Sequence, residues 1–469
     1  MALAVTSSGC ASGSPKTQEL PEIALPATWS TAASPTTFNS VISGVVPATS
    51  LAQWWQKFND PLLSTLVTNA LQANTTVRSA QAALRQSRAL RDVQAAGLLP
   101  GVSASASAGR SKSGGFEASN SFSVGLDASW EPDIFGGKRS ALNASEADAL
   151  AAESSLADVQ VSMAAEVALA YIQLRGQQAQ LLIAQNNLTS QQETLQITDW
   201  RAQAGLITSL EVEQARTASE QTGAQIPTLE ASIAKTRHAL AVLTGQPPAA
   251  LEMLLAPSQP VPEAAQDLAL SIPAQTLRQR PDVRAAEHRI SAALARVSVA
   301  DAARYPSFSI SGSVGLNALT LGALSNGASV VSALLGSVSV PLFDGGAARA
   351  QVRAQEAALE QARIAYQSVV LTALQDVEDA LVALAGDRAR LTHLKSAATA
   401  AGNADLLAQN RYSSGLIDFQ TVLQTQRTLF TAQDSVASTS ADVGADHVRL
   451  YKALGGGWNT ENITRTSTL

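Results

Sequence analysis

The 469-residue sequence has few aromatic residues, a single cysteine and no long uninterrupted apolar run. Aromatic side chains make up 4% of the chain although apolar residues reach 46%, because much of the apolar share is alanine. A compact domain of this size needs more large side chains for its core, so the composition favours long helices packed over narrow seams. The lack of about 18 consecutive apolar residues argues against a membrane-spanning helix but leaves amphipathic membrane strands open.

The charge and the single cysteine narrow the function classes further. The formal net charge of −6 argues against nucleic acid or an anionic membrane surface as the main partner. One cysteine, Cys10, permits no internal disulfide, and small residues flank it on both sides. This pattern is typical of a bacterial lipoprotein signal, so we expect Cys10 to be the lipid-attachment residue. The alternative is a surface cysteine in a disordered tail.

An internal repeat is the strongest organisational signal. The segment that begins at Arg411 and reads RYSSGLID resembles RAQAGLI, which begins at Arg201. In both places one long helical pattern ends, a glycine follows (Gly205 or Gly415), and a second helical pattern begins. Glycine adopts positive φ without a Cβ clash, so each segment predicts a tight turn in a helical hairpin.

Between the helical patterns the hydrophobic period changes to two. Alternating apolar and small polar residues predict strands near 101–110, 120–131, 306–316 and 331–342. Each is long enough to cross a membrane when tilted. Four strands cannot close a barrel, and open edges are not tolerated in lipid, so copies of the chain must share one barrel. Two copies would give a filled barrel of eight strands, whereas three would give twelve strands and an aqueous lumen, which the small inward residues favour.

These patterns predict the organisation of the whole chain. It comprises a signal remnant (1–10), an extended N-terminal arm (11–50), a first repeat of helices, strands and a long helical hairpin (51–248), a Pro-rich linker (249–272), a second repeat of the same plan (273–457) and a disordered tail (458–469).

Motifs in both repeats resemble those of the TolC-like outer-membrane factor family. They are Trp54-Trp55 with Phe58 and Asp60-Pro61-Leu62, then Leu99-Pro100 before a strand, Arg280-Pro281-Asp282-Val283, and the turn Tyr412-x-x-Gly415. Asp60 and Pro61 also have the residue types of an N-cap and a first helical position. The resemblance covers roughly residues 50 to 458. The chain is most similar to the lipoprotein subfamily that serves resistance-nodulation-division efflux systems.

The resemblance implies a fold, a location and partners. The fold is mixed α and β, mainly α: a trimer with a twelve-stranded outer-membrane β-barrel, four strands per chain, continuing into a long periplasmic α-helical barrel. The location is the bacterial outer membrane, with a lipid anchor and an extension into the periplasm. The partners are two further copies of the chain, outer-membrane lipid, a periplasmic adaptor protein and an inner-membrane resistance-nodulation-division pump.

The function implied is a passive exit duct for drugs or other small solutes, driven by the inner-membrane partner. A heavy-metal cation duct is an alternative, and a protein-secretion duct is another. We expect no enzyme activity, cofactor or metal site, because the four histidines are scattered on helical patterns and no Gly-rich phosphate loop follows a strand. The sequence does not identify the cargo.

The resemblance also implies a gate at the periplasmic end, where polar contacts between protomers hold the hairpin turns together. The residues carried over to this chain are Asp199, Arg201, Gly205, Asp405, Arg411, Tyr412, Gly415 and Asp418. The alternative for Arg411 and Asp418 is that they are solvated helix-end charges.

Overall fold

The computed structural model describes residues 52–112, 114–115, 117–264 and 274–457. Cys10, the predicted arm and the predicted tail lie outside the described residues. The helices are α1 (Pro61–Ala73), α2 (Thr75–Ala96), α3 (Gly137–Gln203), α4 (Ser209–Leu243), α5 (Glu252–Leu255), α6 (Pro281–Ala302), α7 (Ala347–Ser413) and α8 (Phe419–Ala453). The strands are β1 (Gly101–Ser111), β2 (Ser119–Trp130), β3 (Ser307–Ala318) and β4 (Val330–Ser339). The fold class is therefore mainly α with one small antiparallel sheet, as predicted.

Corresponding helices in the two halves of the chain have identical lengths. Both α3 and α7 have 67 residues, α4 and α8 have 35, and α2 and α6 have 22. A 67-residue helix is about 100 Å long. This agreement supports the internal repeat that the sequence predicts.

The chain forms two compact units that do not coincide with the two repeats. The sheet unit contains residues Ser87–Ala151 and Ala286–Gln367, including all four strands. The helical unit contains the described residues up to Gln86 together with Ala152–Ala285 and those from Ser368 onward. Each unit therefore collects segments from both repeats.

The sheet has the order β1-β2-β3-β4, and every neighbouring pair is antiparallel. Its register places Leu126 opposite Val314 and Phe308 opposite Val338, so large apolar side chains share one face. Serine and glycine dominate the other face on β1 to β3, where Ser123 pairs with Ser107, whereas β4 places Leu335 on this face. The outer edges of β1 and β4 have no strand partner in the described part of the chain. The strands begin and end within three residues of the positions expected from the sequence.

One described helix, α3, contains a stretch long and apolar enough to cross a membrane by composition alone. Half of that stretch is buried within the chain. Core helices of soluble proteins meet the same criterion, so this stretch is weak evidence for a membrane-spanning helix. The expectation from the sequence rested on uninterrupted apolar runs, which α3 lacks.

A buried arginine joins three distant segments of the helical unit. Arg175 on α3 is 1% exposed, and its Nη1 donates to Gln178 Oε1 and to the carbonyl oxygen of Pro257, both at 2.7 Å. Its Nη2 donates to the Tyr171 hydroxyl at 2.9 Å, which in turn donates to Asp60 Oδ2 at 2.7 Å. Asp60 is the predicted N-cap of α1, and its Oδ1 accepts from the first-turn amides. The network therefore fixes the start of α1 and the segment after α5 against α3.

Two residues at corresponding positions in the repeats close the last turns of α4 and α8. Asn74 Nδ2 donates to the carbonyl oxygen of Leu243 at 2.8 Å. Arg280 Nη1 donates to that of Ala453 at 2.7 Å, and Arg280 also binds Asp282. Helix C-termini leave carbonyl groups without intrahelical partners, and these side chains satisfy one in each repeat.

The predicted linker contains regular structure. Helix α5 forms one turn within it, and Leu251 and Leu255 are buried. Apolar packing, rather than proline content, therefore decides the conformation of this part of the linker.

Candidate functional site

Two glycine turns, each joining a long helix to a shorter one, carry most of the predicted site residues. Gly205 has φ +70° after α3, and Gly415 has φ +73° after α7. The amide of Leu206 donates to Arg201 O, and the amide of Leu416 donates to Arg411 O, both at 2.9 Å. The amides of Gly205 and Gly415 donate to the carbonyls three residues earlier, at 2.9 and 3.0 Å, and the two contacts together form a Schellman motif at each turn. The leucines that follow the glycines are 73% exposed in both turns.

Acidic side chains begin the helices that leave the turns. Asp418 Oδ1 accepts from the amide of Thr421 at 2.8 Å and from its hydroxyl, as an N-cap of α8. The hydroxyl of Thr421, followed by its amide, lowers the pKa of Asp418. Glu211 accepts from the hydroxyl of Thr208 at 2.6 Å and from its amide at 2.7 Å, and the hydroxyl, followed by the amide, lowers the pKa of Glu211. Asp418 therefore has a structural role at the turn.

The two turns are joined by an arginine and an aromatic ring. The guanidinium of Arg201 lies 4.8 Å from the ring centroid of Tyr412. Tyr412 in turn packs against Phe419, with ring centroids 5.4 Å apart. Phe419 is buried in a small apolar cluster with Val422 and Ala408. The Tyr412 hydroxyl is buried without a hydrogen-bond partner among the described residues. The contact between Arg201 and Tyr412 therefore joins the glycine turn of the first repeat to that of the second.

Asp405 lies on α7 at about three helical turns before Gly415 and is buried. Its carboxylate accepts from Gln409 Nε2 at 2.8 Å and from Thr425 Oγ1 at 3.3 Å. Burial raises the pKa of Asp405, and these two hydrogen bonds oppose the shift. Because both donors are neutral, ionising this carboxylate costs more than ionising one in water.

Arg411 and Asp199 make only local contacts or none. The side chain of Arg411 is exposed and has no hydrogen bond or ion pair within the described ranges, including to Asp418. Asp199 accepts from Gln203 Nε2 at 2.8 Å on its own helix. The structure thus brings Arg201 and Tyr412 together and does not join Arg411 to another side chain of the described residues.

A polar seam between α3 and α8 was not anticipated from the sequence. Gln426 Nε2 donates to Thr194 Oγ1 at 3.1 Å, and Gln180 Nε2 donates to Asp434 Oδ1 at 2.9 Å. The carbonyl oxygen of the Gln426 side chain is buried without a partner in the described chain. Glutamine and threonine at seam spacing on a long helix were the available signal. The seam is therefore held by hydrogen bonds as well as by apolar packing.

Hydroxyl groups meet across neighbouring strands on the polar face of the sheet. The hydroxyls of Ser107 and Ser123 are 2.8 Å apart, and those of Ser309 and Ser337 are 2.6 Å apart. Ser105 Oγ donates to Asp127 Oδ2 at 3.1 Å. The described residues contain no group of three or more His, Cys, Asp or Glu side chains that could hold a metal ion. This face offers generic polar contacts.

Comparison with known proteins gives a consistent result over nearly the whole chain. The family model described as outer membrane efflux protein matches residues 66–246 and 272–456. The pyoverdine export outer membrane protein OpmQ of Pseudomonas aeruginosa is 32% identical over 451 residues, which cover 92% of each chain. The toluene efflux pump outer membrane protein TtgI of Pseudomonas putida is 33% identical over 426 residues, covering 88% of this chain and 89% of TtgI.

The fold is also that of a solved channel. The structure of the outer-membrane channel OprN superimposes with a TM-score of 0.84 at 34% identity, covering 94% of this chain and 99% of OprN. The family match spans both repeats, the sheet and both glycine turns. The chain therefore belongs to the outer membrane efflux protein family, and it is the outer-membrane channel component of an efflux system rather than an enzyme.

Proposed function

We propose that three copies of the chain form one passive exit duct for small organic solutes, driven by an inner-membrane resistance-nodulation-division pump through a periplasmic adaptor. The observation that carries this proposal is the four-stranded sheet with free outer edges on β1 and β4. In lipid every backbone group needs a partner, so β4 of one copy must pair with β1 of the next until the sheet closes.

The size of the side chains on the polar face favours three copies over two. An eight-stranded barrel is filled by its own side chains, whereas twelve strands leave room for water. The polar face carries mainly serine and glycine on β1 to β3, and these small residues leave a lumen open. On β4 the same face carries Val331 and Leu335. Because such a face has few specific contacts, the pump must select the cargo.

The relatives support small molecules as the cargo. OpmQ is described as exporting pyoverdine and TtgI as serving a toluene efflux pump. We infer drugs, solvents or similar organic compounds for this chain. A heavy-metal cation as the cargo is tested by expressing this chain in a strain that lacks its own channel. The silver or copper resistance of that strain is then compared with its drug resistance.

The glycine turns offer a docking surface for the adaptor. Leu206 and Leu416 project from equivalent turns and are equally exposed. Exposed leucines at the ends of helices bury apolar area when a partner covers them. Replacing both leucines with serine should abolish drug resistance while leaving the conductance of the purified channel unchanged; loss of conductance as well would contradict a docking role.

The exposed Arg411 suits a contact between protomers at the closed end of the duct. Its guanidinium has no partner among the described residues of its own chain, whereas Arg201 already packs on Tyr412. We expect Arg411→Ala to raise single-channel conductance in a planar bilayer. Arg216→Ala is the matched control, since Arg216 pairs with Glu213 on the surface of α4. Equal conductance of the two variants would refute the gate assignment.

Lipid attachment at Cys10 completes the proposal. Palmitate labelling of cells should mark the wild-type chain and not the Cys10→Ser variant; equal labelling would refute the anchor.

The channel itself is tested by planar-bilayer recording of the purified protein. Complete absence of conductance, even in Arg411→Ala, would overturn the duct.

A further inference from the structure

The sheet unit contains a cavity of about 510 Å³ where the strands meet the ends of α3 and α6. Its apolar lining includes Ile134, Phe135, Tyr305, Phe308 and Val340. Glu131 and Lys138 stand among the polar residues of the lining. The channel function described above uses none of these side chains.

The aromatic rings of this cavity are stacked but remain open on one side. Phe135 lies on Tyr305 with ring centroids 4.9 Å apart and an angle of 17° between the planes, and Phe308 lies 6.4 Å from Phe135. Phe135 and Tyr305 are nevertheless 43% and 47% exposed. An apolar ligand would remove this remaining ring surface from water, which is favourable in proportion to the area covered.

The cavity continues the apolar face of the sheet. Phe308 alternates with Ile310 and Val314 on β3 and lies opposite Val338 of β4, all on the apolar face. In an outer-membrane channel this is the face that contacts lipid, since the serine face lines the lumen. Acyl chains therefore reach the ring surfaces directly, whereas a polar solute in the lumen meets the opposite face.

The polar lining contains one lysine, Lys138, and the two acidic residues Glu131 and Asp133. Lys138 Nζ lies 3.1 Å from Glu131 Oε2 and donates to the carbonyl oxygen of Gly97 at 3.2 Å. An ammonium group has three donors, so one remains for a phosphate. Asp133 does not compete with a phosphate for Lys138 Nζ, because its carboxylate pairs with Arg139 Nε at 3.1 Å and accepts from the amides of Lys138 and Arg139.

We propose that this cavity binds one membrane phospholipid with a phosphate and a primary ammonium in its headgroup, as in phosphatidylethanolamine. The phosphate binds Lys138, the ammonium binds Glu131, and an acyl chain lies against Phe135 and Tyr305. The lipid thereby fills the junction between strands and helices.

Native mass spectrometry of the full-length protein tests this assignment, with phosphatidylethanolamine and phosphatidylglycerol added separately after delipidation. The wild type should bind phosphatidylethanolamine at least about threefold more tightly than phosphatidylglycerol, which lacks the ammonium. Glu131→Gln should remove this preference. Phe135→Ser should weaken the binding of both lipids by about tenfold, because the ring surface is lost.

Phe343→Ser is the control variant. Phe343 is 94% exposed and does not line the cavity, so its loss should leave lipid binding unchanged. Circular dichroism should show the same helix content in every variant. Equal binding by Phe135→Ser and wild type would overturn the proposal. So would the absence of any lipid adduct on the folded wild type, a result that would instead assign the cavity to a contact with a second copy of the chain.

Discussion

Replacing Arg175 with methionine should destabilise the helical unit by about 3 kcal/mol. The guanidinium makes three hydrogen bonds at 2.7 to 2.9 Å while 1% exposed. Hydrogen bonds of a charged group are each worth about 1.5 kcal/mol or more, and their acceptors remain buried after the substitution. Packing of the methionine side chain returns about 1.5 kcal/mol, so the loss of polar contacts dominates.

Unfolding of the detergent-solubilised protein in guanidinium chloride, monitored by the circular dichroism of its helices, gives the free energy of unfolding of each variant. Arg216→Met is the matched control. Arg216 is exposed and pairs with Glu213 at 3.0 Å, and such surface pairs contribute less than about 1 kcal/mol. If Arg175→Met and Arg216→Met lose the same stability, the reasoning that buried contacts dominate is refuted.

Three further predictions concern the same unit. Gly415→Ala should lower the free energy of unfolding by about 1 kcal/mol, because φ is +73° there, and calorimetry that finds no loss would contradict the turn geometry. Burial, followed by the hydrogen bond to Asp60, raises the pKa of Tyr171 from 10.0 to about 12. The protonated hydroxyl therefore contributes to the free energy of unfolding below pH 10.0, and this contribution is lost as the pH rises towards 12. Tyr171→Phe should remove this alkaline loss in unfolding experiments. Because the pKa of Asp405 is raised, the buried carboxylate costs stability at neutral pH, and Asp405→Asn should stabilise the protein there but not in acid, where the aspartate is protonated. A thermal midpoint unchanged at neutral pH would contradict the burial argument.

The elements of this fold could be predicted because each has a strong local signal. The change of hydrophobic period marked the strands, Gly205 and Gly415 marked the turns, and the repeat tied the two halves together. Asp60 followed by Pro61 predicted the start of α1, which the structure confirms. The change of period and the turn glycines act within a few residues, and the repeat is found by comparing two stretches of sequence, so none of these signals requires knowledge of the tertiary contacts.

The contacts between distant segments could not be predicted in the same way. Arg175 lies on a helix where arginine is usually a surface residue, and its partners are at positions 171, 178 and 257, with Asp60 reached through the Tyr171 hydroxyl. No spacing rule connects them. The contact between Arg201 and Tyr412 could be predicted only in part. The repeat placed both residues at glycine turns, but it did not predict that the guanidinium lies over the ring.

The identical helix lengths limit how this protein can change in length. Deleting one heptad from α7 alone would displace its turn by about 10 Å along the helix axis, since each residue adds about 1.5 Å. Tyr412 would then lie two turns away from Arg201, and the contact between the two glycine turns would be lost. A shorter or longer duct therefore requires matched insertions or deletions in α3, α4, α7 and α8, whereas changes of length outside these four helices leave the register of the two turns intact.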